Sequence, residues 1–229
     1  MSLHISVISS MATRQLLADM AAEWQQRSGC VVRVESAGGV DVARRVEAGE
    51  AFDVVVLASD AINKLIKSGW MVANSKTDLV NSGVSVCVRT GAALPDISSE
   101  TALQNAVLTA KSIGYSTGPS GVALIKLFEH WGISGQVLPR CVQAPAGVPV
   151  GTMVARGEIE LGFQQLSELL FVDGISLVGP LPPTVQINTI FSAGLCAAST
   201  RNDAARQFLA FLLSPDTVEA KRRYGMLPA

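Results

Sequence analysis

Tyr115-Ser116-Thr117-Gly118-Pro119-Ser120-Gly121 is the stretch from which the fold of this chain is read. It follows a short apolar run, residues 110–114, and opens into residues 122–131. There Leu124, Leu127, Phe128 and Trp131 recur at helical spacing. The spacing predicts a strand, a turn rich in glycine and hydroxyls, and then a helix. Unpaired backbone N–H groups at the start of a helix point into such a turn, and the helix dipole adds partial positive charge. The turn suits an anion. Ser, Thr and Gly also serve as plain helix caps, so this stretch alone leaves a ligand site and a capped βα loop equally open. A second turn of the same kind near the N-terminus favours the ligand.

That second turn belongs to a βαβαβ run. A strand at residues 5–8 ends in Ser9-Ser10-Met11-Ala12-Thr13, and a helix carries Leu16, Leu17, Met20, Ala21 and Trp24 on one face. A strand at 31–35 follows, then Gly38-Gly39-Val40, a helix at 42–48, a strand at 53–58 and a helix at 61–67. Continuous β-branched runs of this kind are buried on both faces, as in a parallel sheet. Ligands bind such sheets at the carboxyl ends of the strands. Ser9, Ser10, Met11, Ala12, Gly38, Gly39, Val40 and Ser59 all sit at those ends. The double glycine is either a tight turn or a place where a ligand approaches backbone N–H groups closely.

Beyond residue 80 the pattern changes. An alternating strand at 84–89, a loop at 91–99 and a helix at 100–109 lead to the opening stretch, which contributes Thr117, Ser120 and Gly121. A short strand at 141–143 runs into a Pro/Gly loop holding Gly147 and Val148, followed by a helix at 150–156. The strand at 160–165 ends in Gln164-Gln165, which either orient a polar ligand or start a helix over 167–170. Strands at 176–178 and 186–197 and helices at 202–213 and 216–223 complete the chain.

Composition narrows the function. The chain has 229 residues, 48% hydrophobic and 16% charged, with a net charge of −1. That gives a large core and no broad basic surface for nucleic acid or anionic lipid. No segment is apolar enough to span a bilayer, and Met1-Ser2-Leu3 leads straight into the first strand without a secretory signal. The chain is therefore cytoplasmic, or a signal has been removed. Cys30, Cys87, Cys141 and Cys196 show no metal spacing and read as buried free thiols, with a Cys87–Cys196 disulfide as the alternative. His4 and His130 are too far apart to suggest zinc. No cofactor is called for. The loop 118–121 lacks the Lys-Ser/Thr of a phosphate-binding P-loop, and no Gly-x-Ser-x-Gly occurs.

Four short motifs carry a resemblance that spans nearly the whole chain. They are Val42-Ala43-Arg44-Arg45-Val46-Glu47-Ala48-Gly49 with Asp53; Pro119-Ser120-Gly121; Val154-Ala155-Arg156-Gly157-Glu158; and Arg223-Tyr224-Gly225. In order and spacing they resemble the molybdate-binding proteins of ABC transporters, in the type 2 periplasmic binding protein class. The resemblance implies an α/β fold of two lobes, residues 1–80 with 195–229 and residues 81–194. Each lobe would hold a mixed sheet, with a two-strand hinge and a ligand cleft between lobes. It also implies a periplasmic monomer that binds a small anion and serves a transporter permease. The family holds its oxyanion with two serines, a tyrosine and backbone N–H groups. Aligned to this chain, the serines fall on Ala12 and Gly39 and the tyrosine on Gln165, while the other two positions fall on Ser120 and Gly147. Losing three side-chain donors costs a buried oxyanion about 1–3 kcal/mol for each unsatisfied group, so the expectation is a larger, carboxylate- or phosphate-bearing ligand.

Two functions follow. One is a solute-binding protein for a small oxyanion or organic acid. The other, on the branch that includes aconitate isomerase, is an isomerase or tautomerase of a small polycarboxylate. The second needs a base near the substrate carbon, for which Glu168, Glu35, Asp41 and Asp60 are the candidates. Arg14, in the first turn of the first helix, either pairs with a ligand carboxylate or faces solvent.

Overall fold

The computed structural model describes residues 4–229; the reading of Met1-Ser2-Leu3 lies outside the described residues. β1 (His4–Ser10) passes through a 3-10 turn into α1 (Arg14–Ser28). Then come β2 (Val31–Ala37), α2 (Gly39–Glu47), β3 (Val54–Ala58) and α3 (Ser59–Lys67). β4 (Thr77–Arg89) leads to α4 (Glu100–Thr109), β5 (Ile113–Tyr115), α5 (Pro119–His130), α6 (Ser134–Val137), β6 (Cys141–Gln143) and α7 (Val150–Ala155). After β7 (Leu161–Gln165), α8 (Leu166–Leu169) and β8 (Ile175–Pro180), β9 (Asn188–Leu195) precedes α9 (Asn202–Leu213), α10 (Val218–Arg223) and β10 (Met226–Pro228). The chain divides into two compact units: residues up to Asn81 with Ile190–Ala229, and Ser82–Thr189.

In the first unit β1 lies between β2 and β3 and runs parallel to both, with Ser10 opposite Ala37 and Ser9 opposite Val56. β9 pairs antiparallel with β3. Alternation along β3 explains why the run Val54–Ala58 is apolar throughout. Val54 and Val56 pack with Leu17, Met20, Phe208 and Leu212 on one face. Val55 and Leu57 pack with Val42, Val46, Ile62 and Leu65 on the other. A sheet covered by helices on both sides has no solvated face, and each such Val or Leu contributes roughly 1.5–3 kcal/mol by its burial. α1 stops at Gly29, whose φ of 72° is the left-handed cap that glycine adopts at least cost. At the amino end of β3 the buried Asp53 carboxylate accepts from the Ser6 N–H at 2.8 Å and the Ser199 hydroxyl at 2.6 Å, with Arg201 3.5 Å away. These partners hold its pKa below the usual value against the opposing effect of burial. The Asp53 of the sequence motif is thus a tie between β1, β3 and the segment after β9.

In the second unit β5 lies between β6 and β7 and is parallel to both, with Tyr115 opposite Gln143 and Phe163. β4 pairs antiparallel with β7 and β8. The two faces again separate. Val84, Val86, Leu161 and Phe163 pack with Leu103, Val107, Leu124 and Phe128. Cys87 packs with Val150, Val154, Ile159 and Leu169.

Several local expectations change. α2 begins at Gly39, not at residue 42, because the double glycine is itself the helix start. β4 begins at Thr77 and runs through Asn81-Ser82-Gly83, which composition reads as a break. α6 and β10 are four and three residues long, too short to leave a period in the sequence. All four cysteines are free, so the Cys87–Cys196 disulfide does not form, and burial pushes both of these thiols up to about 12.

Candidate functional site

The parallel register gathers the carboxyl ends of β1, β2 and β3 at one end of the first unit. Ser9 is fully buried there; its hydroxyl lies 2.8 Å from the Ser36 hydroxyl and 3.3 Å from the Ser10 carbonyl. Thr13 donates to the same carbonyl at 3.2 Å. Ser10 differs: it is 7% exposed, and its hydroxyl has no partner among the described residues. A hydroxyl desolvated without a hydrogen bond costs about 1–3 kcal/mol, which marks a position finished by something else. Met11 is half-buried and Ala12 is buried beside it.

Gly38 and Gly39 show no steric need for glycine. Both have ordinary negative-φ geometry, and a Cβ at Gly39 would meet only the Leu57 side chain at 3.7 Å. The space in front of α2 is open. Gly38 gives α2 no side-chain cap, Ala58 gives α3 none, and the first-turn N–H groups of both helices are left for another acceptor. α4, by contrast, starts from a loop and is capped by the Ser99 hydroxyl at 3.1 Å from the Ala102 N–H. Val40 stands 71% exposed next to the double glycine, and Ser59 is half-buried at the start of α3.

The second unit repeats the arrangement. The carboxyl ends of β5, β6 and β7 lie side by side, tied by the Ala144 N–H donating to the Tyr115 carbonyl at 2.9 Å. α5 starts at Pro119, whose missing N–H costs nothing at that position, after the uncapped Gly118. Thr117 is exposed, and the buried Ser120 hydroxyl lies 3.1 Å from that of Ser116. Gly121 is needed for packing: a Cβ there would sit 1.9 Å from the Ser116 carbonyl oxygen. Gly147 is exposed with a φ of 78°, and Val148 is half-buried in the same loop.

The paired amides divide in role. Both ends of Gln164 are used internally. Its Oε1 accepts from the Val150 N–H at 2.7 Å, capping α7, and its Nε2 donates to Glu168 at 2.8 Å. Gln165 is 3% exposed and donates to the Thr189 hydroxyl at 2.9 Å, while its Oε1 has no partner. Because Thr189 can accept or donate, Gln165 can present either its oxygen or its NH2 group. The neighbouring Ser167 hydroxyl is also buried and unpartnered. Sequence reading passed over it because it lay inside a four-residue helix. Ser82 in β4, wholly buried with its hydroxyl unpartnered, was missed for the same kind of reason, since its run reads as a turn.

Of the four candidate bases, three are committed elsewhere or exposed. Glu35 pairs with Arg45, Asp41 pairs with Arg44 at 3.0 Å, and Asp60 is exposed on α3. Glu168 stands apart. Burial pushes its carboxyl up to about 7, against the lowering effect of its bond from Gln164. Arg14 is exposed on α1 and has no ion pair among the described residues. No group of three or more His, Cys, Asp or Glu among the described residues could hold a metal ion, and no described helix is long and apolar enough to cross a membrane.

Comparison with known proteins agrees with this architecture. The chain is 34% identical over 230 residues to an aconitate isomerase of a Pseudomonas species, covering 98% of this chain and 87% of that protein. Among solved structures, the periplasmic molybdate-binding protein of Azotobacter vinelandii superposes with a TM-score of 0.81 at 19% identity, covering 98% of this chain and 99% of the other. L-phospholactate-bound PEB3 superposes with a TM-score of 0.71 at 12% identity, covering 98% and 100%. The mixed α/β fold is that of the type 2 periplasmic binding proteins. The model of the bacterial extracellular solute-binding proteins matches residues 5–227, and the chain belongs to that family.

Proposed function

We propose that this protein binds a small polycarboxylate of the aconitate kind at the uncapped helix starts and unpartnered polar groups of its strand ends. The observation that carries this is the set of buried polar atoms left without partners at the strand ends of both units: Ser10 Oγ in one unit, Gln165 Oε1 and Ser167 Oγ in the other. Each lies beside strand ends from which uncapped helices α2, α3 or α5 begin. Such groups suit a ligand whose carboxylates are spaced apart and taken at separate helix starts. A compact tetrahedral oxyanion fits less well, since Ala12, Gly39 and Gln165 stand where the resemblance calls for two serines and a tyrosine. The full-length relative named for aconitate supports the same ligand class. In this reading the protein hands its ligand to an ABC-transporter permease.

The test is a thermal-shift panel of trans-aconitate, cis-aconitate, citrate, molybdate and sulfate. A polycarboxylate at a hundred times its dissociation constant adds about 2.7 kcal/mol of stability. Stabilisation by molybdate or sulfate, with none by the polycarboxylates, overturns the proposal.

A second reading is isomerisation of such a ligand. It is favoured by Glu168, a half-buried carboxyl pushed up to about 7 by desolvation, one residue from Ser167 and three from Gln165 along the chain.

A further inference from the structure

Glu168 is a costly residue to keep. It follows β7 directly, on the short helix α8, which packs on α7 and β7. Neither of those elements carries a titratable side chain: α7 reads Val-Gly-Thr-Met-Val-Ala and β7 reads Leu-Gly-Phe-Gln-Gln. No cation pairs with the carboxylate among the described residues, and only one oxygen, Oε1, is held, by Gln164. Gln164 is itself fixed, because its other end caps the Val150 N–H. The result is a half-buried carboxyl oriented through one oxygen, with the other oxygen accessible and unpaired among the described residues. It stands one residue from the orphaned Ser167 hydroxyl and three from the orphaned Gln165 oxygen.

We propose that Glu168 is the catalytic base of a 1,3-allylic proton shift on an unsaturated polycarboxylate, an inference that rests on the isomerase reading above. The step balances without an oxidant or cofactor. Glu168 takes a proton from the methylene carbon next to the double bond. The released C–H electron pair forms the new double bond. The electrons of the old double bond take a proton at its far carbon, and the protonated Glu168 returns it there. Substrate and product differ only in the position and geometry of the double bond. A base for this step works best with a pKa near the operating pH, and burial without a counter-ion places Glu168 there.

The test uses the whole chain and follows interconversion of trans- and cis-aconitate by proton NMR, with citrate binding measured by calorimetry. The wild type is expected to interconvert the isomers, with a rate that rises with pH through about 7 as Glu168 ionises. E168Q is expected to lose at least a hundredfold in kcat while binding citrate within threefold of wild type. Q164A removes the bond that lowers the Glu168 pKa, so its pH profile should move to higher pH, a shift that loss of α7 capping alone would not produce. Wild-type-like turnover in E168Q overturns the assignment of Glu168. A wild type that binds citrate yet interconverts nothing overturns the isomerase reading itself.

Discussion

The strand ends of the two units are built on one plan and offer different groups. In the first unit the strand ends meet α2 and α3, helices of nine residues each with no side-chain cap, and the glycines in front of α2 leave open space. Its resources are backbone N–H groups and one free hydroxyl, Ser10. In the second unit the strand ends carry the buried Gln164, Gln165 and Ser167 and the half-buried Glu168, while Gly121 is closed over by the Ser116 carbonyl. Backbone dipoles hold any anion of suitable size. A desolvated side-chain cluster discriminates, because a ligand that fails to pair with it leaves polar groups buried and unsatisfied. In the proposed reading the first unit would supply general anion affinity, and the second ligand choice.

The glycines give the sharpest contrast. Gly121→Ala drives a Cβ into a backbone oxygen at 1.9 Å, so it should destabilise by about 3 kcal/mol or more, read by urea denaturation. Gly39→Ala meets only a side chain at 3.7 Å and should change stability by less than about 1 kcal/mol while weakening ligand binding. Equal stability losses in the two variants would erase the distinction between a packing glycine and a site glycine.

The carboxyl gives the next largest effect. The Glu168 pKa is raised from 4.5 to about 7 in the folded protein. The folded state then holds more protons than the unfolded state between those values, so wild-type stability falls as pH rises through that window. E168Q removes the dependence. It should match wild type near pH 4.5 and exceed it above pH 8 by up to about 3 kcal/mol, the free energy of a shift of this size. A variant with the same stability difference at both pH values would show that Glu168 is solvated. Ser10→Ala has the smallest expected effect on the unliganded protein, neutral or stabilising by about 1 kcal/mol, since the hydroxyl it removes has no partner. Chemical denaturation measures it, and a loss of 2 kcal/mol would reveal a bond the structure does not contain.

Much of the fold was legible because it rests on local signals. The apolar run at Val54–Ala58 announces a strand buried on both faces, and α4, β6 and α9 fall where their periods and breakers place them. β10 and the early start of β4 were not legible, because pairing across the sheet creates them and local preference does not. At the site, turn chemistry picked out Ser10 and Gln165 but did not separate them from Ser9 and Gln164. That separation depends on which polar atoms find partners in the folded chain, and Ser36, Thr189 and Val150 are distant in sequence. The isolation of Glu168 was hidden for the same reason: a carboxylate three residues past a strand reads as a helix-start acid until its surroundings are known.

The most direct test of the central claim is calorimetric titration of trans-aconitate into wild type, Ser10→Ala and Ser167→Ala. Neither hydroxyl has a partner among the described residues, so neither change breaks a bond seen there. If these hydroxyls bind the polycarboxylate as proposed, each variant should weaken its binding by about 0.5–1.5 kcal/mol, the worth of one hydrogen bond. Affinity that falls in one variant and stays at the wild-type value in the other, or no heat of binding in any of the three proteins, would contradict it.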